Sequence, residues 1–310
     1  MVVLIVAEDV TRCYGTGRGV ESVSLSVQAG QCLGVLGANG SGKTTLTRLV
    51  AGLDEPQRGR LSVLDAPSYP RPAHLRKRCG VSLDASAHWQ RLSGRQNLYF
   101  FARQYGLAEP VLSRCTDDLL TEADLLAQAD DPVGTYSFGM RRKLSIIEAL
   151  VHDPDVLILD EPSAGIDAAF LERLTQCIHR RSERGQTTWV ADNDPDWLAR
   201  TATHAVLLED GRVEARGSVS ELTASIGARN RVEITLEQTD WDQRPDLPGI
   251  HKFHCKDNHI DIVLDDDPLL PAQILQWIVA RQGRVRAMEI HAVTLREALA
   301  QRANRQEART

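Results

Sequence analysis

The stretch Gly37-Ala38-Asn39-Gly40-Ser41-Gly42-Lys43-Thr44-Thr45 contains the pattern G-x-x-x-x-G-K-[ST], matched at every fixed position. Glycines in such a loop let backbone N–H groups turn inward around phosphate oxygens. A helix starting where the loop ends aims its N-terminus at the same anion. Lys43 supplies a point charge for the outer phosphates, and the Thr44 hydroxyl is placed to ligand Mg²⁺. The chemistry expected is binding of a nucleoside triphosphate. Asp160 and Glu161, which follow the apolar run Val156-Leu157-Ile158-Leu159, complete it. The first acid can hold Mg²⁺ through water, and the second can orient or deprotonate an attacking water.

These residues need elements to position them. Cys32-Leu33-Gly34-Val35-Leu36 reads as a buried strand, and 45–51 as a helix stopped by Gly52. An unbroken apolar run such as 156–159 suits a parallel strand buried on both faces. The two acids therefore emerge at its carboxyl end, where ligands bind in open α/β sheets. Residues 187–191 read as a further buried strand, with a terminal strand pair around Asp210-Gly211. Upstream, Val23, Leu25 and Val27 alternate with Ser24 and Ser26, which predicts a strand with one wet face. Residues 53–82 read as a loop, a short strand and a short helix, and 95–129 as mostly helical. A helix over 140–151 carries Leu144, Ile147 and Leu150 on one face. Residues 1–222 thus read as one α/β nucleotide-binding domain. Residues 229–310 read as a small α+β domain. There Val232, Ile234 and Leu236 alternate, as do Ile260, Ile262 and Leu264, with a hairpin at Lys256-Asp257-Asn258. A helix over 269–281 follows, then a capping box between Thr294 and Glu297.

The chain has 310 residues, 42% hydrophobic and 25% charged, which fits about two globular domains and excludes a disordered or fibrous chain. A net charge of −6 without a basic stripe argues against a general nucleic-acid binder. Six cysteines without a CxxC pair read as reduced thiols. No apolar run approaches the ~18 residues a membrane span needs. The apolar start runs into Glu8-Asp9 without a basic leader, so no signal peptide is expected. If the chain serves a membrane, a separate chain supplies the pore. His251, His254, Cys255 and His259 are dense enough for a metal site, but their spacing matches no zinc set. On an edge strand 251 and 255 share one face and 254 points away.

Tyr136-Ser137-Phe138-Gly139-Met140, followed by a helix and then the acidic strand, resembles the signature sequence of ABC-type ATPases. Tyr14 at the adenine-stacking position, Ser163-Ala164-Gly165-Ile166-Asp167 after the acids, and the order of all these elements extend the resemblance over residues 1 to 222. The Tyr-Ser-x-Gly-Met form looks like the branch that serves drug and polysaccharide exporters. The C-terminal domain is similar to the appendix many members of that branch carry. The resemblance implies an α/β P-loop fold with a mixed-sheet core, an antiparallel β subdomain and a helical subdomain. It implies ATP and Mg²⁺ as cofactors, and hydrolysis by a head-to-tail pair of subunits, identical or different. In that pair Ser137, Phe138, Gly139 and Met140 close over the ATP held by the partner's phosphate loop. The implied location is cytoplasmic and peripheral, at the inner face of the membrane beside a separate permease. Soluble ABC proteins of translation or repair join two ATPase domains or insert long coiled coils, and this chain does neither.

Two positions depart from the family's pattern. Asp84 falls where members carry glutamine, and an acid there could still ligand Mg²⁺. Asn193 falls where members place a switch histidine. Asparagine can donate to a γ-phosphate but cannot titrate. The implied catalytic set is Lys43, Glu161 and Asn193. A competing reading is a subunit that closes on ATP and leaves hydrolysis to a histidine-bearing partner. Two variants separate the ends of the nucleotide. Lys43→Ala is expected to weaken ATP, ADP and GTP alike. Tyr14→Ala, which removes a stacking face worth about 1 kcal/mol, is expected to blur the preference for one base. Equal loss of a base-free triphosphate in the Tyr14 variant would sink the stacking assignment.

Overall fold

The computed structural model describes residues 2–15, 17–83, 88–226, 229–237, 241, 243–265, 267–291 and 293–307, so Asp84 lies outside the described residues. The chain divides into two compact units, Met1–Ser218 and Val219–Thr310. In chain order the first contains β1 (Val3–Cys13), β2 (Gly19–Gln28), β3 (Cys32–Leu36), α1 (Lys43–Val50), β4 (Arg58–Val63), β5 (Ala66–Pro67), α2 (Ala73–Arg76) and β6 (Cys79–Ser82). There follow α3 (Gly94–Gln104), α4 (Val111–Glu122), α5 (Phe138–Leu150), β7 (Val156–Asp160), α6 (Ala168–Glu183), β8 (Thr187–Ala191), α7 (Pro195–Thr201), β9 (His204–Glu209) and β10 (Arg212–Ser218). The second unit contains α8 (Val219–Ser225), β11 (Arg229–Leu236), β12 (Ile250–Lys256), β13 (His259–Asp265), α9 (Leu270–Ala280), β14 (Val285–His291) and α10 (Leu295–Glu307).

The first unit is built on a six-stranded sheet in the order β10-β9-β3-β8-β7-β6, parallel except for β10. Strands β3, β7 and β8 are buried from end to end, as interior strands of a parallel sheet are when both faces are covered. A second, antiparallel sheet runs β2-β1-β4-β5. In it Val23, Leu25 and Val27 face inward and Ser24 and Ser26 face solvent. One core joins both sheets through α1, from Ile5 and Val27 through Leu46 and Leu49 to Trp189 and Leu208. Helices α3, α4 and α5 pack on one another as a helical subdomain. The buried indoles find hydroxyls: Trp189 Nε1 donates to Thr47 Oγ1, and Trp197 Nε1 to Thr175 Oγ1, each at 3.0 Å. Large apolar surface is thus buried without stranding a donor.

Helix boundaries shift for local reasons. α5 begins at Phe138 rather than 140 because Ser137 is its N-cap, its hydroxyl accepting from Met140 N at 3.2 Å. The break between units precedes 222, because β10 stays paired with β9 as far as Ser218, and α8 packs with α10 in the second unit. In that unit the sheet β12-β13-β11-β14 lays Val232, Ile234, Ile260 and Ile262 against Leu270, Ile274 and Ile278 of α9. The capping box forms, with Thr294 N donating to Glu297 Oε2 at 2.9 Å and Glu297 N to Thr294 Oγ1 at 3.2 Å. A register shift between Ile250 and Lys252 interrupts the alternation expected to set His251 beside Cys255. His251 meets Asp265 instead, at 2.5 Å, and Cys255 Sγ donates to Trp241 O.

One buried histidine gives the fold a pH signature. Tyr105, just past α3, stacks on His152, just past α5, with ring centroids 3.5 Å apart. His152 Nε2 lies 3.3 Å from Cys79 O. Burial holds the imidazole neutral and pushes its pKa from 6.5 down to about 4, against a smaller opposing effect of the Cys79 carbonyl. The unfolded chain takes up this proton near 6.5 and the native state only near 4, so native stability is lost as pH falls through that window. His152→Phe keeps the stack and cannot titrate. The melting-temperature advantage of wild type over this variant is expected to shrink between about pH 7 and about pH 4. A pH-independent difference in thermal unfolding would refute the assignment.

Candidate nucleotide site

Sheet order sets the site. β8 lies between β3 and β7, and Val35, Ala191 and Asp160 pair along one row. Past that row the phosphate-loop residues 37–42 leave β3, Asn193 leaves β8 and Glu161 leaves β7. Three segments distant in sequence therefore meet at the carboxyl ends of adjacent parallel strands.

The loop is backed by the start of β2. Gly42 has φ +104°, and a Cβ there would sit 2.5 Å from Gly19 O, so only glycine fits. The cleft over the loop, about 140 Å³, gathers Asn39, Lys43, Thr44, Thr45 and Glu161, and adds Arg18 and Gly19, which the sequence reading missed. Lys43 is buried and folds back, Nζ donating to Gly37 O at 2.8 Å and to Ala38 O at 3.0 Å. Burial pushes its pKa down, and Glu161, Asp160 and Asp192 pull the other way. Three acids thus act electrostatically on one ammonium.

Glu161 has a left-handed backbone, φ +49°, with its N–H donating to Ala191 O at 2.7 Å. Asn193 Nδ2 donates to Glu161 Oε1 at 2.7 Å. Asp160 is buried at the end of β7. Asp192, another residue the sequence reading missed, ties the loop after the acids to the end of β8. Its carboxylate accepts from Ser163 N at 2.9 Å, Ser163 Oγ at 2.6 Å and Asp194 N at 2.8 Å. An acid ending the apolar run of β8, as Asp160 ends β7, was its available signal.

Ser137, Phe138, Gly139 and Met140 open α5 outside that cleft. Ser137 is exposed, as is 52% of Phe138. A Cβ on Gly139 would lie 2.5 Å from Gly165 O, so the signature helix and the loop after the acids touch backbone to backbone. Lys143 and Asp167 add an ion pair at 2.5 Å across the same contact. Tyr14 is 39% exposed. Its hydroxyl donates to Asp54 Oδ2 at 3.0 Å, and the Arg12 guanidinium lies 5.3 Å from the ring centre. Arg48 and the Tyr14 hydroxyl hold the Asp54 carboxyl below its usual range.

A family model described as ABC transporter matches residues 20–164, from β2 through the phosphate loop to the acids. Over 226 residues the chain is 34% identical to the Nod factor export ATP-binding protein I of Burkholderia lata, spanning 73% of this chain and 74% of that protein. The chain belongs to the ABC transporter ATP-binding family. This ABC-type ATPase subunit is also 30% identical over 209 residues to the ABC transporter ATP-binding protein NatA of Bacillus subtilis, 67% of this chain and 85% of that protein. A solved ATP-binding subunit of an ABC transporter superposes with a TM-score of 0.67 at 26% identity, covering 72% of this chain and 93% of the other. A post-hydrolysis dimer of an ATP-binding cassette bound to ADP and phosphate shares the fold, with a TM-score of 0.63 at 21% identity over 69% of this chain and 98% of that one.

The Asn193–Glu161 bond makes the expected switch role of Asn193 testable. A histidine there would offer a charged or strongly polarised donor in place of a neutral amide. Charge-assisted hydrogen bonds are roughly twice as strong, a difference of about 1–2 kcal/mol or about tenfold in rate. Asn193→His is expected to raise kcat about tenfold and Asn193→Ala to lower it, with ATP affinity nearly unchanged, in steady-state ATPase assays. A histidine variant no faster and an alanine variant no slower would put Asn193 outside the reach of the transition state.

Proposed function

We propose that this ABC ATPase drives export. Two ATP-binding subunits close around ATP and Mg²⁺, hydrolyse the ATP, and work a separate transmembrane permease from the cytoplasmic face of the membrane. The observation that carries this reading is a divided site. Lys43, Thr44 and Glu161 line one cleft, whereas Ser137 and Gly139 open a helix elsewhere on the surface of the same chain. An exposed serine at a helix N-terminus can offer its hydroxyl and N–H groups to a phosphate held by a second copy. The names of the export relatives and the Tyr136-to-Met140 signature support the direction of transport.

Lys43 would bind the outer phosphates. Glu161 would orient the attacking water and take its proton on the carboxylate oxygen that Asn193 leaves open. The donor set suits Mg²⁺: Thr44 and Glu161 line the cleft, and the buried Asp160 precedes Glu161 in the chain. Among the described residues no cluster of three or more His, Cys, Asp or Glu could hold a metal alone. A hard cation held by one or two protein oxygens, water and phosphate matches such a set. Thr44 and Asp160 would hold it, with Asp84 a third donor, and the ion when bound neutralises charge developing on the phosphates.

Among the described residues no helix is long and apolar enough to cross a membrane, so this reading gives the pore to another chain. Trp89 and Phe100, 45% and 38% exposed, meet edge to face at 4.2 Å and give an apolar patch suited to a partner. A second reading, a subunit that closes on ATP beside a histidine-bearing chain, is favoured by Asn193 alone. It expects no turnover from this chain by itself.

Glu161→Gln keeps shape and removes the carboxylate that handles water, so it is expected to bind ATP and accumulate as an ATP-bound dimer. Size-exclusion chromatography with and without ATP reads this out. A variant that binds ATP and stays monomeric argues against closure around the nucleotide. Hydrolysis at the wild-type rate removes Glu161 from catalysis.

A further inference from the structure

The guanidinium of Arg142, in the first turns of α5, reaches two other elements. Nη1 donates to Leu83 O at 3.0 Å, and Nη2 donates to both Asp160 O and Glu161 O. The side chain is buried, at 3% exposure. Burying a guanidinium is unfavourable unless its donors are used. Here the two Nη groups are used on main-chain oxygens at the carboxyl ends of β6 and β7. Its neighbour Lys143 does a different job, pairing with Asp167 in the loop after the acids.

The contact matters because of the backbone it grips. Glu161 holds φ +49°, a region that non-glycine residues occupy only when their surroundings over-determine it. Two backbone bonds help: Glu161 N donates to Ala191 O at 2.7 Å, and Ala164 N donates to Glu161 O at 3.2 Å. Arg142 adds a side chain from the helix that Ser137 caps. We propose that Arg142 is a positioning residue for hydrolysis. It holds the Asp160–Glu161 peptide in its left-handed turn, aims the Glu161 carboxylate at Asn193 and the cleft, and ties that aim to the seat of the signature helix. Its contact at Leu83 O adds the segment leading to Asp84 to the same anchor. Arg142 itself does not line the cleft over the phosphate loop. The inference rests on Glu161 being the residue that handles water.

The test uses the full chain with Arg142→Lys and Arg142→Gln, and Glu161→Gln alongside. Lysine keeps the charge but has one nitrogen, which cannot bridge Leu83 and the Asp160–Glu161 peptide together. Glutamine keeps a donor without the charge. Misplacing a reacting group by a fraction of an ångström to 1 Å costs rate rather than binding. Both Arg142 variants are therefore expected to lose about tenfold or more in kcat while ATP Kd stays within about threefold. Amide hydrogen exchange read by mass spectrometry is expected to quicken over 158–164 and to stay unchanged along α5. Should Arg142→Gln fail to fold, the longer, charged Arg142→Lys carries the test. Folded variants with kcat within about twofold of wild type overturn the proposal. So does a joint loss of kcat and ATP affinity with faster exchange throughout α5 and β6, which would assign Arg142 to packing. Wild-type turnover by Glu161→Gln would instead overturn the role of Glu161, while exchange over 158–164 still reports whether Arg142 holds that peptide.

Discussion

A single buried hydrogen bond, from Trp189 Nε1 on β8 to Thr47 Oγ1 on α1, fixes the relation on which the site depends. α1 is the helix that leaves the phosphate loop, and β8 is the strand between that loop and the acids. Strand register has a period of two, so a one-residue slip of β8 would turn Trp189 away from Thr47 and Asp192 away from Ser163. With the register held, Val35, Ala191 and Asp160 share a row, and the segments leaving it converge. The indole also fills the core between the two sheets, so the bond that sets the register sits where water cannot compete for it.

The ammonium of Lys43 combines neutral hydrogen-bond partners with a negatively charged surrounding. Lys43 is satisfied by the neutral carbonyls of Gly37 and Ala38 while three carboxylates act on it from nearby. A phosphate oxygen offers the same ammonium a charged acceptor, and charge-assisted bonds are the stronger kind. Asp192 is already used by Ser163 and Asp194, and its part is to hold the loop around the site. Glu161 Oε1 is taken by Asn193. Asp192 and Glu161 thus differ in what they bind: one ties two loops together, and the other keeps one carboxylate oxygen apart from Asn193.

The second unit follows a simpler plan. Its four-stranded sheet buries one face under α9, with Leu270, Ile274 and Ile278 spaced four apart. The other face carries charged pairs such as Arg231 with Asp261, 2.7 Å apart and open to solvent. This unit has an apolar core of its own and none of the phosphate-loop, acid or signature residues.

What the sequence determined by itself was local. The phosphate loop, the acids ending an apolar run, the alternation of Val23, Leu25 and Val27, and the Thr294–Glu297 capping box are written in residues a few positions apart. Backbone geometry, burial on one face and side-chain capping act at that range, so pattern and structure agree. Other features were decided only by the tertiary structure. Gly19 backs the phosphate loop from a strand 23 residues upstream of Gly42. Asp192 meets Ser163 across 29 residues, Arg142 meets Glu161 across 19, and His152 stacks on Tyr105 from the end of another helix. Each depends on which strands become neighbours and on how closely α5 seats against β6 and β7. Strand order is chosen by the packing of the whole sheet, and no short window of sequence carries it.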